Sequence, residues 1–203
     1  MGAMKLMGKI LLGIFALAVI ALLVGLWRAS AARGADRDYH AAIPKTLVLK
    51  SESFLAGGEI PSALTCQGAG SSPQLSWAAA PKNTQSYALV MMDWDGPSPN
   101  LRLGSFTHWI LYDVPQDTHE IKASIASVDL SQANIVAGRN SLDTTDYTPP
   151  CPPIGSHTYV FRIYALDVPE LHLVLRDRRA LFEAMKGHVL AFGELQGHFG
   201  GKN

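Results

Sequence analysis

Asp93 and Asp95 stand two residues apart, directly after the apolar run 87–92 and directly before Gly96-Pro97-Ser98-Pro99. Where a strand ends, positions i and i+2 share a face, so both carboxylates point the same way into a turn that Gly-Pro makes sharp. Two histidines open other apolar runs, His108 before Trp109 and His157 before Thr158. A protonated imidazole donates from both nitrogens, and a nearby carboxylate raises its pKa and fixes its tautomer. An Asp93–His108–His157 group therefore makes a small polar floor that can hold the oxygens of an anion without being purely cationic. The third element is Thr148-Pro149-Pro150-Cys151-Pro152-Pro153-Ile154-Gly155, just before His157. Its prolines remove backbone donors and fix φ, which gives a rigid wall with little entropy to lose on binding.

Each element alone also has a plainer reading. An aspartate at a strand end can simply cap the turn through an Asx hydrogen bond, and a histidine at a strand start can be packed and paired. The Pro-rich segment can be a structural turn. Convergence of all three is what favours a pocket. Hydrolysis is a weaker reading: no Gly-x-Ser-x-Gly elbow occurs, and Ser156 beside His157 would point to the opposite face of a strand. Asp and His can do acid–base work, but no nucleophile accompanies them. Two histidines and two carboxylates would in principle suit zinc or iron. No C-x-x-C or Cys/His finger spacing occurs, and the two cysteines, Cys66 and Cys151, are equally readable as a disulfide or as free thiols.

The elements that must position these residues have the period of strands. Residues 46–50 alternate through Leu47 and Leu49, residues 87–92 and 109–114 are continuous apolar runs, and 158–166 is rich in β-branched and aromatic residues. Pro/Gly/Ser/Asn stretches at 68–73, 96–104 and 138–156 are too long for tight hairpins and read as functional loops or Greek-key crossings. One helix is signalled near the end: Asp177 caps it, Leu181, Phe182 and Met185 share a face, and Gly187 stops it. Residues 188–199 read as a last strand. The expected fold is an all-β sandwich with one or two peripheral helices.

The chain has 203 residues, 48% hydrophobic and 17% charged, with a formal net charge of zero. That composition supports a buried core and shows no basic cluster, so nucleic acid is not an expected partner. Ile10–Trp27 is an uncharged apolar run flanked by Lys5, Lys9, Arg28, Arg33 and Arg37. As a helix it would be about 27 Å long, enough to cross a hydrocarbon core. It is apolar all round, which argues against a helix in a soluble core. Residues 1–28 are thus read as a signal-anchor or signal peptide, 29–45 as a polar, Ala-rich linker, and 46–203 as the domain. The run is long for a cleaved signal, yet Ala29-Ser30-Ala31 fits a cleavage site. Charge on the two flanks is nearly balanced and says little about orientation. A short basic leader favours export, with the domain on the periplasmic or outer side, either anchored or released after cleavage.

Taken in order, the Asp-x-Asp-x-Pro turn at 93–97, the His108-Trp109 strand start and Cys151-Pro152-Pro153-x-Gly155-x-His157-x-Tyr159 resemble the phosphatidylethanolamine-binding proteins, in their bacterial Raf-kinase-inhibitor-like branch. Cys66-Gln67-Gly68, Ser72-Pro73-Gln74-Leu75-Ser76-Trp77, Gly138-Arg139-Asn140 and His188-Val189-Leu190-Ala191 add to the match, which covers about residues 46–199. The resemblance implies a Greek-key β-sandwich with a non-enzymatic pocket for phosphate, acetate or a phospholipid-headgroup-like molecule, without cofactor or metal. Its floor would be Asp93, His108 and His157; Pro97, Phe106, Pro152, Pro153 and Tyr159 would wall it, and Asp95 would shape the turn. Kinase or protease inhibition through a surface is known among relatives, and such partners are not legible in one sequence. Gln67, Gly70, Ser141 and the lack of the usual glycine before Pro150-Cys151-Pro152-Pro153 depart from the usual pattern in loops that border the site, so ligand choice can differ while the floor stays. The ending Gly197-His198-Phe199 departs too, and His198 is given no role.

Overall fold

The computed structural model describes residues 2–201. Continuous apolar stretches become the central strands of a six-stranded sheet because they are covered on both faces. The strands are β1 (Val48–Lys50), β2 (Gly58–Glu59), β3 (Leu75–Ala78), β4 (Ser86–Gly96), β5 (Gly104–Pro115), β6 (Glu120–Ile121), β7 (Val136–Ala137), β8 (Ser156–Leu166) and β9 (Val189–Gly200). The helices are α1 (Gly2–Ala41), α2 (Ser127–Gln132) and α3 (Arg178–Met185). The large sheet runs β2-β9-β8-β4-β5-β7, and a three-stranded sheet, β1-β3-β6, lies over one face.

Residues alternate between two cores. Leu89 and Met91 of β4, Trp109 and Leu111 of β5, and Phe161 and Ile163 of β8 pack against Leu49, Leu75, Trp77 and Ile121 of the small sheet. The intervening residues Ala88, Val90, Ile110 and Tyr164 face the other way, where Leu181 and Met185 of α3 cover them. A strand buried on both faces loses the polar alternation of a half-exposed one.

Asp177 caps α3 by accepting from the Ala180 N–H at 2.8 Å, and Gly187, with φ of +80°, ends the following turn. Asp177→Ala is expected to cost about 1 kcal/mol of stability, read from thermal unfolding. The pattern of sequence periods misses β2, β3, β6 and β7, none longer than four residues, and the six-residue α2.

Two expectations need correcting. The all-β description fits only the chain beyond α1: that helix has 40 residues, and the large sheet is mixed because β2 joins β9 in parallel. The segment 29–45 is not a free linker either. It is helical to Ala41, and Ala29 and His40 are buried. Asp36 pairs with Arg162 at 2.8 Å, and His40 Nε2 bonds the Tyr164 hydroxyl at 2.8 Å. Polar residues that looked like linker are instead the matching groups for the outer face of the sheet. The apolar part of α1 is long enough to cross a membrane, and none of its most apolar window is buried.

Candidate ligand-binding site

Asp93, His157 and Tyr159 come together through sheet register. Asp93 of β4 lies opposite Tyr159 of β8, and His157, two residues earlier, shares the face of Tyr159. The His157 Nδ1–H donates to Asp93 Oδ2 at 2.7 Å, and Nε2 lies 3.2 Å from the Ile154 carbonyl. Both oxygens can only accept, so an imidazolium satisfies both and a neutral ring only one. Asp93 Oδ1 accepts from the Asp95 N–H at 2.7 Å, which closes an Asx turn as well. The same side chain thus caps the turn and holds His157. His157 is 1% exposed and Asp93 6%.

His108 reaches the site by another device. Met91 pairs with Trp109 and Met92 with Thr107, leaving His108 as an extra residue in β5. Such a bulge re-aims a side chain. Trp109 packs in the inner core, while His108, its neighbour, sits on the same side between Phe106 and Tyr159, with ring centroids 4.6 and 5.2 Å away. The His108 Nδ1–H donates to the Thr148 carbonyl at 2.8 Å, leaving Nε2 without a partner among the described residues. Burial lowers the His108 pKa from its ordinary 6.5, partly opposed by the Thr148 carbonyl and the Asp93 charge. Tyr159 carries a buried hydroxyl with no partner among the described residues. Burial, then the nearby Asp93 charge, pushes its pKa up, so it stays a donor.

These groups open into a cavity of about 440 Å³. Pro97, Phe106, Pro152 and Pro153 line it with Asp93, His108, His157 and Tyr159. Asp95 does not. It stands behind the floor, where its carboxylate accepts the Thr158 N–H at 2.9 Å and meets Arg102 at 2.9 Å. With those bonds it braces β4 against β8, away from the cavity.

Sequence reasoning left out Leu142, and named Thr148, Pro149 and Cys151 only as part of the rigid segment and Asn140 without a role. Leu142, Thr148, Pro149 and Cys151 also line the cavity. Asn140 organises the loop: its amide donates to Thr144, Asp146 and Thr148 oxygens, and its side-chain oxygen accepts from two backbone N–H groups. Cys66 and Cys151 form a disulfide across 85 residues, and the Cys66 N–H donates to the Pro150 carbonyl at 3.1 Å. An asparagine amid turn residues was the one available signal for the loop hub. The pairing of two lone cysteines left no signal in their spacing.

The family model described as "Phosphatidylethanolamine-binding protein" matches residues 50–200. The chain belongs to the phosphatidylethanolamine-binding protein family. Within that family it is 37% identical over 149 residues to a "UPF0098 protein" of Methanothermobacter thermautotrophicus, covering 73% of this chain and 95% of the relative. A "UPF0098 protein" of Chlamydia muridarum is 39% identical over 153 residues, covering 74% and 97%. Among solved structures, a putative phosphatidylethanolamine-binding protein homologue from Chlamydia trachomatis superposes with a TM-score of 0.69 at 33% identity. That match covers 78% of this chain and 99% of the other. YbcL of E. coli shares the fold, with a TM-score of 0.68 at 20% identity over 77% of this chain and 99% of its own. The family match begins after α1.

Proposed function

We propose that the chain is a non-enzymatic binder of small phosphate- or carboxylate-bearing molecules, held at a membrane by α1 with its domain on the periplasmic or outer side. One observation carries the binding reading: an unpaired His108 Nε2 and an unpaired Tyr159 hydroxyl adjoin one cavity beside the Asp93–His157 pair. The buried Tyr159 O–H without a partner costs free energy that an anion oxygen would recover, and His108 Nε2, an acceptor in the neutral ring, becomes a second donor once it is protonated. The paired Asp93 keeps the site from being a general cation trap. Proline walls cut the ordering cost of binding. Anchoring is supported by the exposed apolar surface of α1, and export by the disulfide, which persists in oxidising compartments. The Ala29-Ser30-Ala31 stretch lies within α1 with Ala29 packed, which favours retention over cleavage.

Calorimetric titration with phosphorylethanolamine and with phosphate tests the pocket. The His108→Ala/His157→Ala variant, if still folded, should release no binding heat; unchanged heats would sink the assignment. A pH series adds a sign. A buried neutral His108 has its folded pKa below 6.5, so the unfolded chain binds more protons and stability contributed by this residue is lost as pH falls. Binding an anion at Nε2 needs the proton there, so ligand and proton uptake are coupled. Affinity for glycerophosphorylethanolamine, a phosphodiester with constant charge, should therefore rise on acidification below neutral pH. His108→Gln should flatten that rise, and an affinity that falls on acidification in the parent chain would contradict it.

A further inference from the structure

Resting on the anchored reading, we propose that the pocket end of the domain is docked on the membrane that α1 spans, so the cavity takes its phosphate-bearing ligand from lipid headgroups of that leaflet.

The argument is one of register between a helix and a strand. His40 of α1 bonds Tyr164 of β8, and Asp36 pairs with Arg162. Moving back along α1, the Arg33 guanidinium donates to the Arg102 carbonyl at 2.6 Å, in the loop after Pro97. Gly25 then lies against Leu103, whose Cδ2 would be 3.9 Å from a methyl added there. The contacts at positions 25, 29, 33, 36 and 40 recur at helical spacing, so one face of α1 lies along the domain. From His40 to Gly25 is about 22 Å of helix. From Tyr164 to His157 is about 23 Å of strand. The two lengths match, so Gly25 is level with the pocket end, and everything in α1 before it projects beyond the domain on that side.

What projects is the apolar run. Gly25 itself lies inside it, since the run reaches Trp27. A bilayer around that run must therefore meet the pocket end of the domain and not the opposite end. The surface there suits such contact. Leu142, which lines the cavity, is 60% exposed, and Leu101 and Ile154, in the loops that also carry the lining residues Pro97 and Pro153, are 45% and 58% exposed. Trp27, 70% exposed, stands where an interfacial tryptophan belongs, and the exposed Arg28 next to it can meet a lipid phosphate. The far end instead exposes Lys82, Asn83, Gln116 and Asp117. The apolar side chains of these loops then become an interfacial foot.

The test uses the full chain in bilayers of phosphatidylethanolamine and phosphatidylglycerol, with a nitroxide on Leu101→Cys or, separately, on Gln116→Cys. The Leu101 label should collide several-fold more with dissolved oxygen than with a water-soluble nickel chelate, and the Gln116 label should show the reverse. In the same bilayers, soluble phosphorylethanolamine should bind several-fold more weakly than in maltoside micelles, because neighbouring headgroups compete. A Leu101 label as open to nickel as Gln116, or one shielded from both probes by a second copy, overturns the docking. Equal ligand affinity in bilayers and micelles overturns the headgroup source. Absence of binding in micelles would instead defeat the pocket reading, while a lipid-exposed Leu101 label would still support the docked orientation.

Discussion

Replacing Asp93 by alanine is expected to destabilise the domain by about 3–5 kcal/mol and to abolish anion binding. Its carboxylate holds two buried donors at once, His157 Nδ1 and the Asp95 N–H, each at 2.7 Å. Removing it strands a 1% exposed imidazole whose other nitrogen already faces a carbonyl, and frees a backbone N–H inside the β4 turn. Breaking one side of a buried pair costs far more than such a pair contributes, because the remaining partner has lost its water as well. Asp93→Asn discriminates between the two roles. It keeps an acceptor for the Asp95 N–H but loses the negative charge facing His157, so it should lose less stability than alanine does. Thermal unfolding of the full chain in maltoside micelles, followed by near-UV dichroism, reads the first quantity. Titration with phosphorylethanolamine reads the second. Wild-type stability in Asp93→Ala would mean that this carboxylate does not hold the floor.

Removing the disulfide with Cys66→Ala/Cys151→Ala should cost ~4–5 kcal/mol in the chain-entropy model, since the bridge closes a loop of 85 residues. The same change should weaken ligand binding at a distance from the floor. Cys151 lines the cavity, and the bridge ties its Pro-rich wall to the 62–68 segment, where Tyr147 also donates to the Leu64 carbonyl at 3.0 Å. Thr148 in that wall orients His108 through its carbonyl. A looser wall therefore costs both preorganisation and the tautomer of His108. Reduction of the parent protein should reproduce both losses. An unchanged melting temperature after verified reduction would refute the staple.

The long strands, α3 with its cap, and the apolar run of α1 were legible in the sequence, because each rests on local rules: period, burial on two faces, a capping aspartate, a glycine stop. The shorter strands were not, since two to four residues carry no period. Their place is set by what they pair with, as Leu75 and Ser76 pair with Ile121 and Glu120. Among the site residues, Asp93, His108 and His157 were legible as types at strand ends. The role of Asp95 was not, because a bulge after Asp93 turns its carboxylate toward Thr158 and Arg102, away from the cavity.

By itself, then, the sequence determined the chemistry on offer at this site: two carboxylates, two imidazoles and a proline wall, following an apolar segment able to enter a membrane. Tertiary structure alone decided that His157 is held through Nδ1 while His108 keeps Nε2 free, since only non-local bonds to Asp93 and Thr148 fix that. It alone joined Cys66 to Cys151, and it alone turned residues 29–41 from a tether into a helix clamped by Arg162 and Tyr164. The physical reason is the same in each case. These outcomes depend on distances between residues far apart in the chain, and a polar side chain reads as solvent-facing until its buried partner is known.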